Sequence, residues 1–198
     1  MSERQNSAAV RGAVGFLIGA CVIAVALVGL YSVFSYIRMI IGIAGFALGG
    51  AIGGAGVCVR RDAGRRALPA ALGFGLAFVL PSLVVPFSLM SLEGGGFAII
   101  MGTLLWGVAF AIAGGIGAAF LRSGVAAIGA FGFGVGGALG GVVAFVLALV
   151  FPSSLSRMPW QAPVGVLIAC VFGGWLLGTG LDSLGERKPG ARDARTSG

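Results

Sequence analysis

The stretch GFALGGAIGGAG at 45–56 has the residue types of a phosphate-binding loop, with Gly45, Gly49 and Gly53 recurring every four residues. Glycines let backbone N–H groups close on a phosphate, but that chemistry needs further parts. A P-loop needs Lys followed by Ser or Thr at the mouth of a helix. A dinucleotide fingerprint needs a preceding strand and an acid about 20 residues further on. Here VCVRR follows, and the glycines lie inside a run with no charged residue. The phosphate would have to sit in a charge-free segment, so nucleotide binding is set aside.

Other reactive sets are equally incomplete. The chain has three cysteines, Cys21, Cys58 and Cys170, with no CxxC, and it has no histidine. Zinc or haem sites built on His are excluded, and buried Cys acts as a small hydrophobe. No carboxylate falls inside an apolar run. Glu93 and Asp182 stand at run edges, so no acid–base pair forms and no Ser/His/Asp set is available. Polar side chains within the runs are few, among them Ser32, Ser35, Ser82, Ser88, Thr103, Thr179 and Trp106, and hydroxyls there bond to carbonyls of their own helix. The expectation is a protein that is not an enzyme and carries no cofactor and no metal.

The elements holding these residues are hydrophobic throughout. Of 198 residues, 58% are hydrophobic and only 10% charged, against about 25% charged in a soluble domain. Six runs lack Asp, Glu, Lys and Arg: 12–37, 39–59, 67–92, 97–121, 124–151 and 160–181. Each exceeds the ~18–20 residues that cross ~30 Å of hydrocarbon at ~1.5 Å per residue. A helix pairs all its backbone groups internally, as lipid demands, and the short alternating segments of a barrel are missing. The fold class is therefore all-α, a polytopic transmembrane bundle of six helices within 12–181. A short N-terminus (1–11) precedes it, and a disordered, basic tail (182–198) follows. Although LIGAC at 17–21 resembles a lipoprotein cleavage box, the apolar run continues beyond it, which marks a full span rather than a removable signal.

The net charge of +7 is distributed as a membrane topology would have it. With six spans, Arg4, Arg11, Arg60, Arg61, Arg65, Arg66, Arg122, Arg187, Lys188, Arg192 and Arg195 fall on one side, and only Arg38 and Arg157 on the other. Positive loops stay inside. Both termini are thus expected to be cytoplasmic, in the inner cell membrane. No aromatic residues interleave with the basic ones, so nucleic acid is not expected as a partner.

Residues four apart share a helix face. Gly45, Gly49 and Gly53 form one small stripe; Gly132, Gly136 and Gly140 form another. Gly107 and Gly115, and Gly173, Gly174 and Gly178, extend the pattern to the fourth and sixth runs. Lipid is as apolar as Leu, so helices associate through close van der Waals contact, which small residues allow. These glycines are the expected helix-packing positions, in the manner of a glycine zipper. The first run is bulkier and expected to face lipid; the second, small on several faces, is expected to be central. Pro81 removes a backbone donor inside the third run and is a candidate hinge. Gly12, Gly73 and Gly134, and likewise Gly56, Gly117 and Gly178, fall 61 residues apart. They point to three hairpins in a parallel pseudo-threefold arrangement. Abundant packing surface without chemistry leads to a non-catalytic structural or accessory membrane subunit, partnered by the lipid bilayer and by copies of itself or a membrane complex. The alternative is a passive channel for a small uncharged solute.

Overall fold

A computed structural model describes residues 8–29, 35–58, 64–90, 95–151 and 160–185. The helices are α1 (Ala8–Gly29), α2 (Ser35–Val57), α3 (Gly64–Ala77), α4 (Val79–Met90), α5 (Gly95–Leu121), α6 (Ala126–Val150) and α7 (Gln161–Gly185). A 3-10 turn, Ser123–Val125, leads into α6. Six spans are long and apolar enough to cross a membrane, α3 and α4 together making the third. The protein is an all-α, multi-pass membrane bundle.

The helices form a closed ring. Each packs on its neighbours in sequence, and α7 returns to pack on α1. No helix occupies the centre, α2 included, because α2 lies between α1 and α3. Its small faces are spent on those two sides. The most lipid-exposed span is α5, whose Phe97, Ile100, Leu104, Val108, Ile112, Ile116 and Phe120 point outward.

The third span is broken at Phe78, between α3 and α4. The break follows from Pro81, whose ring clashes with the carbonyl four residues earlier and which has no N–H to donate. Pro81 itself is buried. The Phe78 N–H still reaches the Phe74 carbonyl at 2.9 Å, while Ser82 N–H to Phe78 O stretches to 3.4 Å.

Helix ends do not coincide with the ends of the charge-free runs. Helix α1 already begins at Ala8, before Arg11, and α2 at Ser35, which puts Arg38 in its first turn. Long Arg side chains reach the interface from within a helix, so charge does not end one. At the other terminus α7 continues through Asp182 to Gly185. This departs from a tail that is disordered from 182, and the cause is a specific bond. Ala8 and Ala9 N–H donate to the Asp182 carboxylate at 3.1 and 3.4 Å, satisfying free donors at the start of α1. Arg60, Arg61, the side chain of Arg65 and the tail beyond 185 lie outside the described residues.

Candidate functional site on the bundle axis

The ring interior is filled by aromatic side chains. Phe16 from α1, Phe74 from α3 and Phe133 from α6 meet with ring centroids 5.0 Å (16–74), 4.8 Å (16–133) and 5.8 Å (74–133) apart. Two of the three contacts are edge-to-face, which the ring quadrupole favours. Phe78 packs against all three at 5.6–6.2 Å. Phe110, Trp106 and Phe145 continue the stack along α5 and α6. Every one of these rings is fully buried.

Glycines make room for the three axial rings, each ring lying between glycines of the two flanking helices. Phe16 lies against Gly53 of α2 and Gly174 of α7. Phe74 lies against Gly54 of α2 and Gly117 of α5. Phe133 lies against Gly114 of α5 and Gly173 of α7. A Cβ at any of these six glycines would overlap the ring beside it. The helix backbones therefore act as the walls of three sockets.

A second kind of contact binds the helices to one another. In four neighbouring pairs, two glycines each point at the other's carbonyl oxygen: Gly19 and Gly49 (α1/α2), Gly114 and Gly129 (α5/α6), Gly140 and Gly165 (α6/α7), and Gly12 and Gly174 (α1/α7). This is the arrangement of paired Cα–H···O contacts at helix crossings, weak individually and recurrent here.

The glycines singled out by spacing take definite places. Gly45, Gly49 and Gly53 all turn toward α1, meeting Ala26, then Gly19 with Ile23, then Phe16. Gly107 and Gly115 meet Ala138 and Ala130 of α6. Gly132, Gly136 and Gly140 turn toward α7, at Leu176, Ala169 and Gly165. On α7, Gly173 meets Phe133, Gly174 meets Gly12 and Phe16, and Gly178 meets Ala8 and Ala9. All these neighbours belong to the same chain. Arg66 and Arg122 are exposed at one end of the bundle.

Spacing alone missed the axial phenylalanines. Their signal is the pair Gly-Phe, which recurs as Gly15-Phe16, Gly73-Phe74 and Gly132-Phe133 at steps of 58 and 59 residues. Glycine triplets at 61 residues set Gly12 and Gly134 beside Gly73, one turn or less away from this register. Asp182 was also missed, because its partners at Ala8 and Ala9 are over 170 residues away.

Reactive groups are sparse on this axis. Ser82 Oγ donates to Val79 O at 2.6 Å and Thr179 Oγ1 to Leu176 O at 2.7 Å, each within its own span. Cys21 is exposed, while Cys58 and Cys170 are buried free thiols. Burial pushes the Cys58 thiol up, against a smaller lowering by Arg66, and disfavours its thiolate. Among the described residues, no three His, Cys, Asp or Glu side chains converge as a metal site would require. What the arrangement can do is exclude water and fix six helices about one axis. The chain matches no protein-family model, curated protein or solved structure.

Proposed function

We propose that the protein is a non-catalytic integral membrane protein, serving as a structural or accessory subunit. The observation that carries this reading is the filled axis: Phe16, Phe74 and Phe133 in mutual contact, each held between glycine backbones. A bundle whose interior is filled by packed side chains presents only its perimeter and its two ends to other molecules. Because the glycine stripes turn toward helices of this chain, a partner or second copy would meet the bulky outer surface, of which α5 supplies the largest share. The matched sockets support a unit of three hairpins, α1–α2, α3/α4–α5 and α6–α7, in parallel about the axis. The excess of arginine at one end supports cytoplasmic termini in the inner membrane.

Purification from the native membrane in mild detergent tests the role. A stable, stoichiometric companion or a defined homo-oligomer is expected; a lone monomer at every detergent strength would refute it. A passive channel for a small uncharged solute would require the three axial rings to part. Solute flux into liposomes above that of empty vesicles would favour the channel over the structural role.

A further inference from the structure

We propose that a notch between α3 and α5, at the basic end of the bundle, binds the headgroup of an anionic phospholipid. Arg66 and Gly73 are seven residues apart on α3 and so share one face. Gly73 is the point where α3 meets the ring of Phe120 on α5. The Cα of Arg66 therefore lies on the α5 side of α3, about two turns nearer the bundle end, with its guanidinium close enough to Cys58 at the end of α2 to act on that thiol. Arg122 follows Phe120 by two residues at the end of α5. Both arginines are exposed. Between them the wall is low and apolar: Pro69, exposed and short, then Gly73, then Phe120, which is half exposed. Ile116, one turn along α5 from Phe120, continues the apolar track into the membrane.

This is the shape of a phospholipid. Guanidinium groups bind phosphate through paired N–H donors, and the track over Phe120 and Ile116 accepts an acyl chain. Charge complementarity favours an anionic lipid over a zwitterionic one. Among the side chains described at this end, Arg11, Arg66 and Arg122 outnumber the one carboxylate, Asp182. The groove also lies at the one hairpin whose two helices lack reciprocal glycine–carbonyl contact.

The test uses the full-length protein in detergent. Retention of phosphatidylglycerol and of phosphatidylcholine is counted by native mass spectrometry, and melting is followed with each lipid added. Wild type should retain phosphatidylglycerol selectively and melt higher with it, less so in high salt. Arg66→Gln and Arg122→Gln should each weaken retention about fivefold, the equivalent of ~1 kcal/mol for a basic group near headgroups. Phe120→Ala should weaken it too. A tail variant carrying R187Q, K188Q, R192Q and R195Q removes more charge and should leave retention unchanged. Equal retention of the two lipids by wild type would overturn the proposal, as would tail and notch variants losing equally. Stabilisation by inorganic phosphate alone, to the same degree, would also overturn it, because the apolar track would then be idle.

Discussion

The hairpins α1–α2 and α3/α4–α5 put Phe16 and Phe74 at matching places on the axis, but they are joined differently. In the first, two unbroken helices touch through Gly19 and Gly49, each glycine facing the other's carbonyl. In the second, a Cβ at Gly73 would meet the Phe120 ring, a Cβ at Gly117 would meet the Phe74 ring, and the first arm is broken at Phe78. Ring-to-backbone contact holds the second pair where backbone-to-backbone contact holds the first. The break in turn delivers a fourth ring, Phe78, onto the other three. An axial position can thus be supported by close approach of two backbones or by filling a wider gap with aromatic volume.

Substitution at the two seams should separate the two hairpins most visibly. Gly49→Leu drives a side chain into the Gly19 carbonyl, 2.5 Å from a Cβ, and into Ile23. It should cost more than about 4 kcal/mol, a loss in the exceptional range for one residue, read by reversible unfolding in mixed micelles. Gly136→Leu, against the Ala169 backbone at 2.7 Å, should behave alike. Gly73→Leu meets the Phe120 ring, which can swing toward lipid, and the Phe120 Cβ at 2.7 Å, which cannot, so a loss at the upper end of about 1–3 kcal/mol is expected. Equal losses at Gly49 and Gly73 would show the two seams to be alike after all.

The axial rings, unlike the seams, should respond alike in the two hairpins. Phe16→Ala and Phe74→Ala should each cost about 3–5 kcal/mol and resemble one another, since both empty a socket between glycines. A Phe74 variant much milder than its Phe16 counterpart would mean that Phe78 takes over the vacated space. A smaller effect comes from Asp182→Ala, which frees the Ala8 and Ala9 N–H groups and should cost about 1 kcal/mol. It asks whether the first hairpin depends on its seam with α7 as well as its own. Smallest of all, Leu48→Ala on the outer face of α2 should stay within about 0.5 kcal/mol.

The membrane class was legible because it depends on long stretches without charge, a property of composition. Stripe direction was partly legible. The four-residue period places Gly45, Gly49 and Gly53 on one side of a helix, but not which helix they would meet. The axis was hidden for a different reason. Phe16 and Phe131 are the same residue type in glycine-rich apolar stretches, GAVGFLIGA and GAFGFGVGG. Phe16 is fully buried and Phe131 faces lipid at 68% exposure. Hydrophobicity cannot separate core from perimeter when the solvent is itself apolar. The glycines on the two flanking helices decide which ring turns inward. The first span, expected to face lipid, is less buried than the second, third, fifth and sixth, and the fourth is less buried still.

The α1–α7 seam has a consequence for the order of assembly. Its two halves are the first and last spans of the bundle to leave the ribosome. Until α7 is inserted, Gly12 faces lipid, the donors of Ala8 and Ala9 lack their cap, and Phe16 has one wall of its socket instead of two. The nascent bundle is an open arc during that interval, and an arc has two adhesive edges. Insertion of α7 converts the arc to a ring and hides both edges at once, so a chain stalled before α7 should be the form most ready to pair with the wrong helix.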